Sequence, residues 1–525
     1  MPIPNYQIPG VYVTQSGTAL TAVNPTNLNI AIVADQVTPG YNTDTFSNVV
    51  SVSGSIIGQL TVPMVNITST GAYSTYSGFS LTWTNSTGVT TTGTYGTNYQ
   101  IVTPSGSAFS YLTTSGATSP NVYPSGTVQI TYGHNWGAYN TYYEFNPLAS
   151  TIGAAISGTT IINPATLAAQ LAFQNGANSV TIVPVARVSS SGLGSSATVS
   201  DWVRTFQLTP SGNNGSDPTF LSSQSNVDVI VPLYGFISVT GTTAGQLLSY
   251  NNSAVATGIT NYLTVQSGLG NYQRAFLGVD NTNNQVTVTG MQVLASGFGA
   301  STAGTRVSIV YPGSINYNPG LSLSTGLSNA NFNVAGYYVA AALAGLFVGQ
   351  TDVYVPITNK TVNGFNYIPN QISTNDAQYS YLAYGITTVY QNRNGLMTVL
   401  QGLTTNIQNW ITQEISINAV GDRLANNIKN ALVATQLIGG PLTQNTAAAA
   451  LGTVQAVLTN SVSNGLIQSY QNLSYIIYPN SPTTINITFQ YSPTYPLNYI
   501  QTVLSLNTQT GAVVTVNAQS NPVVY

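Results

Sequence analysis

Charge is nearly missing from this sequence. Of 525 residues, 8 are Lys or Arg and 11 are Asp or Glu, 4% of the chain, where ordinary soluble domains carry about 25%. Eight basic residues scattered along the chain make no patch for phosphate, which argues against a nucleic-acid partner. The net charge of −3 also leaves copies of the chain little mutual repulsion. A polar surface must then be built from Ser, Thr, Asn, Gln and 34 Tyr. Such a surface suits a protein that packs against neighbours, or one exposed to harsh pH or salt. Cysteine is absent, which excludes disulfides and thiolate metal sites and leaves the redox compartment open. The most apolar stretch, 334–348, is 15 residues with Gly336 and Gly345 inside it, short of the roughly 20 needed to span a bilayer. It reads as a buried helix covering a sheet. The opening Met1-Pro2-Ile3-Pro4-Asn5 has no basic region leading into an apolar run, so no signal peptide is expected.

What is present is enough to fold. Hydrophobic residues make up 43% of the chain, so a length of this order supports two to four domains with real cores. The first 20 residues read as an extended arm, because Pro2, Pro4 and Pro9 oppose helix and Gly10-Val11-Tyr12-Val13 is strand-like. A compact strand follows at 28–34 (LNIAIVA). Residues 45–143 carry no Asp, Glu, Lys or Arg, and their short alternating runs, such as 79–83 and 128–132, predict an inserted all-β unit. Beyond it strands and helices alternate, which favours a layered α/β core. Asn163-Pro164 opens a helix that Gly176 ends. Strands are expected at 179–186, 227–233, 275–279 and 307–311, with helices near 247–263 and 334–348. In the last third, helices are predicted at 421–437 and 446–462, then strands at 485–491, 500–506 and 512–516. No fixed-period repeat is visible.

Chemistry is hard to find. One His, His134, and no Cys cannot build the usual zinc site, and no Gly-x-Ser-x-Gly elbow accompanies it. Carboxylate pairs such as Asp35 with Asp44, or Asp201 with Asp217 or Asp228, have no local signature. The Gly-rich stretches 192–194 and 297–299 complete neither a dinucleotide nor a Walker pattern. We therefore expect no catalytic, cofactor or metal site. Asp422, Arg423 and Lys429, on the predicted 421–437 helix, are candidate contacts to a partner or a solvated helical face. The two uncharged ends carry Pro9, Gly10, Val11, Tyr12 and Val13, and Val513, Val514 and Val516. Extended ends of this kind satisfy their backbone groups by joining a sheet edge. If that edge belongs to a neighbour, the protein polymerises by strand addition. Each backbone hydrogen bond then contributes about 1 kcal/mol. Pairing within the chain's own domain is the alternative.

Taken in order, several segments resemble contractile phage tail sheath proteins: Ile8-Pro9-Gly10-Val11-Tyr12-Val13, the 30–34 strand, 168–185 (AAQLAFQNGANSVTIVPV), Val334-Ala335-Gly336-Tyr337, Tyr384-Gly385-Ile386-Thr387, Arg393-Asn394-Gly395-Leu396, 437–442 (LIGGPL) and 493–500 (PTYPLNYI). Thr14-Gln15 and Leu403-Thr404-Thr405 depart from the charged residues usual in that family. The resemblance implies an arm at 1–20, an α/β core from 21–44 plus 144–375, an outward-facing β insertion at 45–143, a tube-facing domain at 376–509 and a second arm at 510–525. It further implies a structural, non-enzymatic subunit. Six-fold rings would stack helically around a tail tube, laced by the terminal arms, and contract without nucleotide to drive the tube through a host envelope for genome ejection. Expected partners are further copies of the chain and the tube, baseplate and tail-terminator proteins. The expected location is a virion tail assembled in the host cytoplasm. A surface lattice of the S-layer kind and a tail-borne polysaccharide-degrading enzyme are the competing readings. The first predicts a secretion signal and a mostly β chain, the second a carboxylate cluster and a repeat-built β-helix.

Overall fold

The computed structural model describes residues 28–35, 40–50, 54–60, 80–85, 87–94, 97–102, 111–114, 123–134, 141–157, 160–161, 163–185, 197–207, 221, 227–238, 249–250, 253–279, 295, 298, 302–317, 332–369, 371, 381–406, 413–435, 437, 441–477, 485–497, 504–507 and 513–516. Its centre is an eight-stranded sheet. Six parallel strands, Ile30–Ala34 (β1), Val180–Pro184 (β12), Val229–Pro232 (β13), Arg274–Gly278 (β16), Val307–Tyr311 (β17) and Ile386–Gln391 (β20), lie in the order β12-β1-β13-β16-β17-β20. Thr141–Tyr142 (β9) and Met397–Gln401 (β21) close the two edges antiparallel. The order 2-1-3-4-5-6 is that of a doubly wound α/β sheet.

Both faces of this sheet are covered, which is why its strands read as continuous apolar runs rather than alternating ones. Along β1 the pleat divides the residues between layers. Ile30, Ile32 and Ala34 pack with the helices Pro164–Gln174 (α2), Gly336–Val348 (α5) and Ile415–Ala434 (α6). Ala31 and Val33 pack with Val199–Thr205 (α3) and Ser253–Gly268 (α4). A short helix, Phe145–Ile152 (α1), joins the first layer through Leu148 and Ile152.

Local chemistry sets the helix ends as the sequence predicts. Asn163 Oδ1 accepts the Thr166 N–H at 3.2 Å, and Pro164 occupies the first turn. Past α2 the chain turns at Gly176 with φ 106°. There α2 meets α5 almost backbone to backbone: a Cβ on Gly345 would stand 2.2 Å from the Ala172 carbonyl oxygen. The expected 334–348 helix starts at Gly336, because 332–335 is drawn into a strand, Phe332–Ala335 (β19), paired with Ser314–Tyr317 (β18).

Between β1 and β9 the chain makes two antiparallel sheets. Gly40–Val49 (β2), Gly126–His134 (β8), Ser80–Thr84 (β4) and Thr90–Thr92 (β5) form one. Ile56–Gln59 (β3), Tyr111–Thr113 (β7) and Gln100–Val102 (β6) form the other. They share a separate apolar cluster that includes Leu60, Leu81, Trp83, Tyr99, Leu112 and Ile130. β2 begins at Gly40, and Asp44 lies within it opposite Ile130, so the start of the charge-free interval does not coincide with a strand boundary. Two-stranded ribbons, Ile156–Ser157 (β10) with Thr160–Ile161 (β11) and Ile237–Ser238 (β14) with Ser249–Tyr250 (β15), decorate the core.

The last part of the chain is built from α6, Gln444–Ser463 (α7) and two hairpins, Ile467–Ile477 (β22) with Ile485–Pro493 (β23) and Leu504–Asn507 (β24) with Val513–Val516 (β25). α6 starts six residues before the predicted Gly421. Ile415, Ser416, Ile417, Ala419 and Val420 are all buried, so its first turns show no amphipathic stripe to mark them as helix. β22 is a strand that the sequence reading passed over.

Candidate functional site

Two features of the C-terminal part stand out: an open-edged hairpin and a buried ionic fork that fastens α6 to the main sheet. In the hairpin, Tyr470 faces Tyr491 and Gln471 faces Gln490. Gln471 Nε2 and Asn472 Nδ2 both donate to Gln490 Oε1, at 3.1 and 3.0 Å, and Ser474 meets Thr488 at 3.1 Å. These uncharged pairs are the cross-strand contacts that specify register. Asn472 has φ 58° and sits at a register shift that bends β22. α7 buttresses the hairpin, where Thr459 and Tyr470 share a hydrogen bond. Among the described residues β22 and β23 pair only with each other, and the outer edges of such a ribbon are where further strands can add. Ile476 and Tyr491 are exposed by 50% and 39%.

The candidate arm residues Pro9, Gly10, Val11, Tyr12 and Val13 lie outside the described residues. Val513, Val514 and Val516 form β25, in register with Asn507, Leu506 and Leu504 of β24. This C-terminal strand is thus paired within its own chain on one side.

The three charged residues predicted on one helix have separate roles. Asp422 turns inward: Arg306 Nη1 donates to its Oδ2 at 2.9 Å and Nη2 to its Oδ1 at 2.7 Å, while Arg274 Nη2 donates to Oδ2 at 2.7 Å. Charge-assisted bonds of this geometry are the strong ones. Arg274 also lies over the Phe347 ring at 5.0 Å, and Arg306 over Tyr272 at 5.2 Å. Burial lowers the pKa of Arg274, and Asp422 opposes that shift. Lys429 lies on the outer side of α6. A Cβ on Gly270 would stand 3.3 Å from its Nζ, which places the ammonium near the C-terminal end of α4, where a cation is favoured. Arg423 faces Asp228 electrostatically.

Asp228 extends the network. Its Oδ2 accepts the Asn29 N–H at 2.9 Å, and its backbone oxygen accepts the Arg274 N–H at 3.0 Å. Burial pushes its carboxyl up to about 6, against the pull of the Asn29 N–H, Arg274 and Arg423. A cavity of about 130 Å³ opens here, lined by Leu28, Asp228, Arg274, Phe347, Asp422 and Arg423 among others.

Among the described residues, the remaining carboxylates weighed from the sequence have partners of their own. Asp35 accepts the Ala197 N–H, and Asp201 closes a capping box with Thr198 at the start of α3. Asp217 lies outside the described residues. Ligands of doubly wound sheets bind beyond the strand C-termini; here Tyr234 and Phe236, just after β13, pack with each other at a centroid distance of 5.0 Å and with Trp202 and Phe298 at 5.1 and 6.2 Å. Among the described residues no group of three potential metal ligands occurs, and no helix is long and apolar enough to cross a membrane.

No family model matches the sequence. A stretch of 251 residues is 28% identical to the tail sheath protein of Mycobacterium phage Bxz1, covering 48% of this chain and 41% of that protein. A chain in the cryo-EM structure of the anti-feeding prophage baseplate, six-fold symmetrised, shares the fold with a TM-score of 0.50 at 11% identity, over 96% of this chain and 100% of that one. The contracted helical sheath of the same particle aligns at 0.48 and 14% identity, over 69% and 86% of the two chains. A sheath tail protein from Listeria innocua aligns at 0.44 and 12%, over 68% and 88%.

Proposed function

We propose that this chain belongs to the contractile tail sheath family, as a subunit that polymerises as stacked helical rings around a tail tube and contracts to drive it forward. Its relatives are structural tail sheath proteins, not enzymes. The observation that carries the reading is the sequence match to a phage tail sheath protein over 251 residues, and the open-edged β22–β23 hairpin gives that reading a physical mechanism. In it, terminal strands of neighbouring copies, 9–13 from one and 513–516 from another, add to the free edges of the hairpin. The sheets between β1 and β9 form the outward insertion, and the C-terminal helices and hairpin face the tube. Arg423 and Lys429 remain candidate contacts there, whereas the Asp422 carboxylate is committed to Arg274 and Arg306. Contraction releases conformational energy stored in the assembled lattice and needs no nucleotide. Tube, baseplate and terminator proteins are the proposed partners, and the virion tail the proposed location.

Negative-stain electron microscopy of the purified chain tests this. Hollow striated cylinders are expected; flat sheets would replace the proposal with a surface lattice.

A further inference from the structure

Four charged side chains are exposed among the described residues: Glu144, Lys360, Arg393 and Lys429. Lys429 stands beside the C-terminal end of α4. The other three lie at the two outer edges of the main sheet, sorted by sign. The basic edge is β21. In the turn that leads into it from β20, Asn392 Oδ1 accepts the Asn394 and Leu396 N–H groups at 2.9 and 3.0 Å, so Arg393 is carried on a fixed tip. Leu396 beside it is 50% exposed. Further along, the Lys360 carbonyl accepts the Val399 N–H at 2.9 Å, which occupies the outer side of β21 there and leaves the Lys360 ammonium exposed. The acidic edge is β9. Glu144 follows it at the N-cap of α1, but its side chain makes no capping bond, and Tyr143 beside it is 75% exposed. None of Glu144, Lys360 and Arg393 forms an ion pair among the described residues.

We propose that the β9 edge of one copy of this chain docks against the β20–β21 turn of the next, Glu144 on Arg393, with Tyr143 and Leu396 packed alongside. Charge complementarity selects this pairing. Two β9 edges would set Glu144 against Glu144, and two β21 edges would set Arg393 and Lys360 against their own kind, and like charges brought together are strongly disfavoured. In a chain whose net charge is −3, little else discriminates among the ways in which two copies can meet. The two patches differ, so the contact is head-to-tail and propagates as a ring or a helix rather than closing as a two-fold dimer.

Strand register adds a stagger. Tyr142 pairs with Val180, the first residue of β12, so Glu144 lies at the N-terminal end of the parallel strands, whereas Arg393 lies past the C-terminal end of β20. The two meet when the next copy is displaced along the strands by about a strand length, about 17 Å. A step of that kind winds a helix. One such pair at a solvated rim is weak; repeated along a polymer it sets the direction of assembly. This contact deepens the sheath reading, from which it takes the second copy.

Charge reversal tests it on the full chain. Glu144→Lys makes both edges basic and Arg393→Glu makes the turn acidic. Each variant alone should need at least about tenfold more protein than the wild type to assemble, read by sedimentation and negative-stain electron microscopy, with circular dichroism to check the fold. An equimolar mixture of the two should assemble as the wild type does, because each variant then meets its opposite. The chain has no Cys, so a mixture of Tyr143→Cys and Asn394→Cys chains, which keep all the charges, should cross-link on oxidation far more than either alone. Single reversals that assemble like the wild type, a mixture no better than either variant, a wild type that stays monomeric, or no cross-link between the two Cys variants would overturn the contact. Cylinders from every chain would leave the sheath proposal standing without it. Flat sheets that are lost in each variant and return in the mixture would keep the contact and remove the sheath reading.

Discussion

Arg306 holds the Asp422 carboxylate with two parallel bonds, 2.9 and 2.7 Å long, across 116 residues of sequence. Arg274 completes the fork from the neighbouring strand. In a chain with eight basic side chains, two are spent on one carboxylate inside the fold. The fork is what binds the start of the C-terminal part to the sheet.

Removing that carboxylate leaves a buried guanidinium without its counter-ion. Asp422→Ala should therefore destabilise the chain by about 3–5 kcal/mol, measured by urea unfolding of the soluble subunit. Lys429→Ala, on the exposed side of the same helix, should stay within about 0.5 kcal/mol. Equal effects from the two variants would mean that the fork does not hold α6.

Gly345 has no room for a side chain, since a Cβ there would meet the Ala172 carbonyl oxygen at 2.2 Å. Gly345→Val should force α2 and α5 apart at a cost of about 1–3 kcal/mol or more. In thermal melts, Gly268→Val at the end of α4, where a Cβ meets nothing within 4 Å, serves as the control. A Gly345 variant that melts with the wild type would refute the close crossing.

Alkaline titration should be biphasic. Burial raises the phenol pKa of Tyr262, Tyr311 and Tyr381, and brings Tyr317 to about 12. For a phenol raised above its unfolded value near 10, the stabilisation is present below pH 10 and falls away as pH rises towards the folded pKa. Absorbance at 295 nm should therefore show exposed tyrosines ionising near pH 10 and a second group later, together with loss of far-UV circular dichroism. One smooth phase with the fold intact would contradict the buried packing.

Deleting 1–18 or 510–525 should abolish long polymers while leaving a folded, soluble subunit, as read by sedimentation and circular dichroism. Full-length tubes from either truncated chain would eliminate strand exchange as the linkage.

Five of the six parallel strands of the core were legible because they are buried on both faces; β20 was not singled out as a strand. The runs 28–34, 179–186, 227–233, 275–279 and 307–311 needed only their apolar continuity, and each falls on a strand of the sheet. The caps at Asn163 and Gly176 were equally local. β22 was not legible, since its solvent-facing Gln471, Asn472 and Ser474 show no apolar alternation. The start of α6 was hidden by burial around most of its first turns. Asp422 carried a visible charge, but its partners lie 116 and 148 residues away, and nothing local announces them. The clue within reach was that Arg274 and Arg306 each directly adjoin an apolar strand, an unusual place for a charge without a partner.

Helical cryo-EM reconstruction of the polymer formed by the purified full chain tests the central claim most directly. The account predicts a hollow cylinder in which each β22–β23 hairpin has gained strands from neighbouring copies along its free edges. A flat lattice, or a cylinder whose hairpin edges stay unpaired, would contradict it.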